Sequence, residues 1–423
     1  MRITILALGT RGDVQPYIAL GLGLQAAGHQ VKIASLDIFE DFISNKGLHF
    51  ASLGGISKKL KKRSQNKDKI NSISFHGLWG RINWWFIFGS SLENLMFKTW
   101  EVCQETDVII YSRLSLPAYH IAEKLGIPCY AAYTNPLTPT RTFPNPLFTS
   151  NFNLEGKLNW LTHIAEEQFC WQFIRKEINQ WRTETLNLSP IPITGVYSRQ
   201  RQQKIPTLHC YSPNVLPKPS DWQDWAYVTG YWFLDSPANW QPPKELIDFL
   251  AAGSPPVYIG FGSMSDTNPE ALTKLVLNAL AQSGQRGILM KGWGALSNAD
   301  LPDNVFKIDS VPHDWLFPQV AAVVHHGGAG TTSAGLRAGV PSIIIPFVAD
   351  QPFWGQRLAN LGVGTQPIPR QELTAERLAS AITIATSDET MKDRARILGQ
   401  KIRAENGVKN AVEIINSHLS SHH

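Results

Sequence analysis

Short unbroken apolar runs recur along this chain, each followed by a loop and then a helical pattern, as expected for parallel strands buried on both faces. Arg2 to Leu8 reads as a strand, Gly9 to Asp13 as a tight loop, Val14 to Gly28 as a helix ending on glycine, and Gln30 to Ser35 as the next strand. Runs at Asp107 to Tyr111 and Ile127 to Tyr133 flank a helix over Pro117 to Leu125 and continue a doubly wound pattern. The rhythm then restarts, with strands Val257 to Phe261, Gly287 to Lys291, Val305 to Ile308, Ala321 to His325 and Ser342 to Pro346. Helices Pro269 to Ser283, a short one near Asp314, and Thr331 to Ala338 fall between them.

The fold class is therefore α/β with two Rossmann-like domains, which suits 423 residues. Between the two series, Ser212 to Pro243 carries prolines 213, 217, 219, 237, 242 and 243 among scattered Trp residues, the composition of a linker packed over a surface. The expected division is 1–215 for the first domain, 216–245 for the linker, 246–395 for the second domain, and a C-terminal helix over 396–423 packing back toward the first.

Composition narrows the function classes. Apolar residues make up 43% and charged residues 17%, enough for substantial cores. A net charge of +5, with no arginine-rich arm or nucleic-acid module, argues against a nucleic-acid partner. Cys103, Cys129, Cys170 and Cys210 are dispersed without a C-x-x-C pair, which argues against both a zinc site and a disulfide framework and fits a reducing compartment. The apolar start runs into Arg11 and Asp13 too soon for a signal peptide, and no stretch reaches the roughly 18 apolar residues of a spanning helix. Cytoplasmic residence is the expectation.

Four loops carry candidate chemistry. His325-His326-Gly327-Gly328-Ala329-Gly330-Thr331-Thr332 lies between a strand and a helix, where backbone N–H groups at the positive end of a helix dipole suit a pyrophosphate. The alternative is a tight turn capped by Thr331. Asp350 and Gln351, after a later strand, are placed for sugar hydroxyls, unless Asp350 only caps the helix that Pro352 starts. Gly260-Phe261-Gly262-Ser263-Met264 offers a hydroxyl to a phosphate. Gly9 to Pro16 lacks the dinucleotide fingerprint, and Asp13 is either an N-cap before Val14 or a functional carboxylate. His29 lies between the first helix and second strand, away from these loops, and His325 ends its strand; both read as structural.

Taken in this order, Gly9-Thr10-Arg11-Gly12-Asp13-Val14-Gln15-Pro16, His325 to Thr332, and Asp350-Gln351 resemble the two-domain GT-B nucleotide-sugar glycosyltransferases of family 1. The likeness is nearest to sterol glucosyltransferases and bacterial natural-product transferases. It implies two Rossmann-like domains facing each other across a cleft and inverting transfer of a hexosyl group, glucose from UDP-glucose, to a lipophilic alcohol. It implies Asp13 as general base and Thr10 and Arg11 beside the donor. His326, Gly328, Ala329, Gly330 and Thr331 would hold the diphosphate, with His326 helping to neutralise it. Ser263 would add a phosphate contact, Val311 and His313 would lie beside base or ribose, Trp293 would line the cleft, and Asp350 and Gln351 would bind the sugar. No metal and no resident cofactor are implied. The sequence departs from plant members, which carry a histidine after the first strand, a base-stacking tryptophan near Ser310-Val311-Pro312, and a ribose-binding glutamate near Ala334.

The acceptor side is aromatic. Of 14 Trp, 11 precede residue 245, and Trp84, Trp85 and Phe86 within 75–100 are the candidate acceptor contacts. Segment 57–69 holds seven basic residues and one acid, so together with 75–100 it is a candidate for peripheral contact with anionic lipid. The bland alternative is aromatic core and solvated charge. Rival functions are transfer to a lipid-linked cell-wall intermediate, nucleotide-sugar epimerisation, and lipid binding without catalysis.

Overall fold

A computed structural model describes residues 1–55, 92–147, 155–237, 239–262, 264, 266–290 and 301–421. The basic segment 57–69 lies outside the described residues, as does 75–91. The chain forms two compact units, one of residues 1–234 with 406–423 and the other of residues 235–405.

The first unit is built on a seven-stranded parallel sheet, β1 (Arg2–Leu6), β2 (Gln30–Ser35), β3 (His49–Ser52), β4 (Val108–Tyr111), β5 (Cys129–Tyr133), β6 (Thr207–His209) and β7 (Ala226–Val228), in the order β3-β2-β1-β4-β5-β6-β7. Every residue of β4 and β5 is buried, which accounts for their continuous apolar runs. Its helices are α1 (Arg11–Ala26), α2 (Glu40–Ser44), α3 (Leu92–Cys103), α4 (Pro117–Leu125), α5 (Lys157–Glu184) and α6 (Val196–Gln202).

The second unit has a five-stranded parallel sheet, β8 (Val257–Gly260), β9 (Gly287–Met290), β10 (Val305–Ile308), β11 (Ala322–His325) and β12 (Ser342–Ile344), ordered β10-β9-β8-β11-β12. Helices α7 (Lys244–Ala251), α8 (Pro269–Ser283), α9 (His313–Leu316), α10 (Ala329–Ala338), α11 (Gln351–Leu361), α12 (Ala375–Ser387) and α13 (Glu389–Ala404) belong to it. The last helix, α14 (Gly407–Ser421), returns to the first unit. There it packs on α1, where a Cβ on Gly23 would lie 3.3 Å from Val412, and His29 Nε2 pairs with Asn416 Oδ1 at 2.8 Å.

Several boundaries differ from the sequence expectation. The stretch read as a linker contains β7, an edge strand only three residues long and flanked by the prolines that suggested a loop. Residues 216–234 thus lie in the first unit, and the division falls between Leu234 and Asp235. Helix α1 begins at Arg11, three residues before Val14, because Thr10 occupies the N-cap. Of the early tryptophans, Trp171, Trp181, Trp222 and Trp232 are buried in the first unit's own interior. No described helix is long and apolar enough to cross a membrane.

Candidate functional site

Both sheets share a topological feature that locates binding loops. In each, the chain leaves the first strand in one direction and later crosses to its other side, so the strand order reverses between β1 and β4 in the first unit and between β8 and β11 in the second. Loops leaving the C-terminal ends of strands at such a reversal diverge and leave a crevice, where open parallel sheets bind ligands. The loop holding Thr10 follows β1, and the glycine turn follows β11.

In the first unit, Asp13 is the third residue of α1, half-buried, and its carboxylate turns back toward the start of the helix. Oδ2 accepts the Thr10 backbone N–H at 2.7 Å and the Thr10 hydroxyl at 2.8 Å. This geometry removes the reading of Asp13 as an N-cap, since Thr10 has that position, and it makes Thr10 the group that fixes the carboxylate. Desolvation raises the Asp13 pKa, while the two Thr10 hydrogen bonds work against the rise. Arg11 is exposed with its guanidinium 4.6 Å from the centre of the Phe42 ring.

Gly9 has φ +140°, and a Cβ there would lie 2.5 Å from both Cβ and Oδ2 of Asp13. The missing side chain is what lets the carboxylate fold back. The loop is tied to its neighbours as well. Leu8 N–H donates to Ser112 Oγ at 3.3 Å, and Ser115 Oγ donates to the Leu6 carbonyl at 2.9 Å.

In the second unit, Gly328 is the N-cap of α10, so Thr331 lies inside the first turn rather than at its cap. No side chain caps this helix. The N–H groups of Ala329, Gly330 and Thr331 precede the first intrahelical bond, Thr332 N–H to the Gly328 carbonyl at 3.0 Å, and point along the helix axis. A Cβ on Gly327, whose φ is +89°, would meet Ile344 Cγ2 at 2.7 Å, so the turn cannot accept a larger residue unchanged.

His326 stands between two glycines. A Cβ on Gly262 would approach its Cε1 to 3.0 Å, and one on Gly328 would overlap its Nε2. The ring is buried, and Nδ1 has no hydrogen-bond partner. Burial lowers the His326 pKa to about 4. That lowering favours the neutral imidazole near pH 7 over the charged form expected from the sequence. His325 is fully buried, with Nδ1 accepting the Gly327 N–H at 3.1 Å, a structural role.

The remaining candidates divide. Asp350 precedes α11 but its side chain makes no cap; Oδ2 instead accepts the indole N–H of Trp354 at 3.1 Å. Gln351 is buried, with Oε1 accepting the backbone N–H groups of Phe347 at 2.7 Å and Val348 at 2.9 Å. Val311 is buried in a hydrophobic cluster with Leu316 and Phe317, so its side chain belongs to the core. His313 stacks on Phe317 with centroids 4.3 Å apart. Ser263, Trp293, Trp84, Trp85 and Phe86 lie outside the described residues. Among the described residues, no group of three or more His, Cys, Asp or Glu side chains is arranged to hold a metal ion.

The sequence marks Gly9 and Gly262 only as members of their loops, without the close approaches to Asp13 and His326 that need them, and it gives Trp354 no role. Trp354 was within reach, because it sits four residues after Asp350 at the start of a helix, a spacing that puts both on one face.

Comparison with known proteins agrees with this architecture. Residues 3–144 match the glycosyltransferase family 28 N-terminal domain, and residues 287–417 match the erythromycin biosynthesis protein CIII-like C-terminal domain. The sterol 3-beta-glucosyltransferase of Cryptococcus neoformans is 40% identical over 98% of this chain and 27% of its own length. That of Candida albicans is 41% identical over 99% and 28%, and that of Saccharomyces cerevisiae 39% identical over 98% and 35%. The chain thus spans about a quarter to a third of these curated relatives.

Among solved structures, the kitacinnamycin glycosyltransferase superposes with a TM-score of 0.74 at 19% identity over 98% of each chain. SsfS6 of Streptomyces sp. SF2575, complexed with thymidine diphosphate, gives 0.60 at 18% identity over 99% of each. With a glycosyltransferase domain model matching in each half, two parallel sheets with helices, and superposition on solved glycosyltransferases, the chain has the GT-B glycosyltransferase fold, and along nearly its whole length it is similar to sterol 3-beta-glucosyltransferases.

Proposed function

We propose that this protein transfers a hexosyl group, glucose from UDP-glucose, to a hydroxyl of a lipophilic acceptor such as a sterol, hopanoid or carotenoid alcohol, with inversion at the anomeric carbon. The observation that carries the reading is the state of Asp13: a carboxylate at a strand-order reversal, desolvated enough to gain basicity and held by Thr10 in one orientation. A general base needs both properties.

In the proposed reaction, the acceptor oxygen attacks C1 from the face opposite the nucleotide while its proton passes to Asp13. The C1–O bond to the diphosphate breaks, and the electron pair leaves with UDP. The uncapped N-terminus of α10 and the neutral His326 N–H receive the negative charge that develops on the leaving group. These groups give the diphosphate donors of its own, which supports a reaction independent of divalent metal and of any resident cofactor. The resemblance of the relatives to one another in acceptor, named as sterols in their descriptions, supports the acceptor class. Peripheral contact with a membrane, where such acceptors reside, belongs to the same proposal.

Calorimetric titration with UDP and UDP-glucose in EDTA tests it. Micromolar to sub-millimolar binding is expected; absence of binding would leave the turn at Gly327 to Gly330 as architecture only and favour a lipid-binding protein without catalysis. Release of an altered sugar nucleotide without an acceptor would instead favour an epimerase. In the same assay, His326→Ala should weaken UDP binding by about 10-fold, the worth of one hydrogen bond to a charged group. Unchanged UDP affinity in that variant would put the diphosphate elsewhere.

A further inference from the structure

His326 is oriented by packing rather than by a hydrogen bond at Nδ1, which has no partner. One wall of its slot is the main chain of the loop leaving β8, where a Cβ on Gly262 would come within 3.0 Å of the ring carbon Cε1. The ring points where that loop lets it point, so whatever fixes the loop also fixes the imidazole.

The loop is fixed from far along the chain. Gly262 turns it with φ +59°, and the Met264 N–H closes the turn on the Phe261 carbonyl at 3.1 Å. Asp266 then uses both of its oxygens. Oδ1 accepts the Asn268 N–H at 2.9 Å, which leads into Asn268 as the N-cap of α8, and Oδ2 accepts the Arg370 Nε–H at 2.6 Å. The Asp266 side chain is only 5% exposed. A carboxylate so covered keeps its cation close, because losing it would strand a desolvated charge.

Topology gives this ion pair its leverage. In the second sheet β11 lies between β8 and β12. Residues 364–370 run on beside β12: Gly364 is bridged to Ser342, Ile368 N–H donates to the Ile344 carbonyl at 2.9 Å, and Arg370 N–H donates to the Pro346 carbonyl at 3.4 Å. Asp266 and Arg370 therefore belong to segments on opposite sides of the strand that leads into His326, and they meet across 104 residues of sequence.

We propose that Asp266 and Arg370 are positioning residues. Their ion pair braces the β8 loop against the His326 ring and keeps the imidazole turned toward the nucleotide diphosphate, while neither side chain touches the ligand. The inference rests on the reading above that His326 meets the diphosphate.

Two measurements on the full chain test it: calorimetric titration with UDP, and the NMR resonance of the His326 Cε1–H, assigned by its disappearance in His326→Ala. Arg370→Gln removes the cation. It should weaken UDP binding by about 3- to 10-fold, at most the loss expected for His326→Ala, and should shift the His326 resonance in the nucleotide-free protein. Arg370→Lys, which keeps the charge, should recover most of both. Asp266→Asn should behave like Arg370→Gln, and the double variant should be no worse than either, since all three lack the same contact. In a His326→Ala background, Arg370→Gln should change UDP affinity by less than about twofold.

A full loss that persists in the His326→Ala background would mean that Arg370 acts on the nucleotide by another route, and the positioning role would be overturned. An unmoved His326 resonance in Arg370→Gln would overturn it too. So would a lower melting temperature with UDP affinity intact while His326→Ala weakens binding, the mark of an ion pair that serves stability only. If His326→Ala itself leaves UDP affinity unchanged, the reading beneath the inference fails and the inference falls with it.

Discussion

Asp13→Asn is expected to lower turnover with a sterol acceptor by at least ~100-fold, within the roughly 10²–10⁴-fold attributed to a positioned general base, and to leave UDP affinity within about twofold. The substitution isolates the base because of how the carboxylate is held. Both Thr10 contacts fall on one oxygen, Oδ2, at 2.7 and 2.8 Å. An Asn amide oxygen accepts the same two bonds, so the start of α1 is preserved while the capacity to take a proton is lost. Loss in kcat with little change in donor binding marks an interaction made only as the proton moves. The wild-type rate should also fall on the acid side at a pH above the ordinary carboxylate range, because desolvation raises the Asp13 pKa. Turnover unchanged in Asp13→Asn would remove it from the base role, whatever the donor site proves to be.

How much of this could be read in the sequence depends on where the determining partner lies. Helix α4, helix α8 and strands β2 and β10 have the ends expected from apolar periodicity, because local pattern and burial coincide there. Helix α5 was not recognised, although it is 28 residues long. Its buried positions include Glu166, Glu167 and Arg182, which break an apolar stripe. They are tolerable only because Arg113, Arg201 and Glu123, 34 to 59 residues away, neutralise them, with Arg113 to Glu166 at 2.6 Å and Arg182 to Glu123 at 2.8 Å. Strands β6 and β7 are three residues each, too short for a period to emerge.

The candidate site shows the same division. Its loops were legible as motifs, since glycines beside a strand end have a recognisable reason to be there. The inner hydrogen bonding was not. Nothing in the sequence signals that the Gln351 oxygen accepts from Phe347 and Val348, or that burial lowers the His326 pKa to about 4. Chemical type is written in the sequence, whereas protonation state and commitment of an acceptor depend on packing.

Burial of histidines should make the protein acid-labile well before its carboxylates titrate. In the first unit His120, His163 and His209 are almost wholly inaccessible, and desolvation lowers all three, His163 to about 4 and His209 to about 3. In the second unit His325 and His326 are lowered for the same cause, His326 to about 4. An unfolded chain binds a proton at each near pH ~6.5, whereas the folded chain does not until its lower value is reached. Stability from these groups is complete above about pH 6.5 and is lost as pH falls toward the folded values. Each histidine contributes a slope of about 1.4 kcal/mol per pH unit inside that window, so three give about 4 kcal/mol per pH unit in the first unit and two give about 3 in the second. Against a domain stability of roughly 5–15 kcal/mol, a fall of two pH units is large. Asp13 and Glu167, raised by burial, gain protons in the folded state and oppose the trend. Their offset is confined to the acid end, where carboxylates begin to titrate. Urea unfolding followed by hydrogen exchange on peptides of each sheet should give midpoints steady from pH 8 to 7 and falling steeply below 6.5, more so for β4, β5 and β6 than for β8 and β11. A midpoint still flat at pH 5 would mean that these imidazoles are solvated in the native protein, and the neutral His326 donor would have to be abandoned with them.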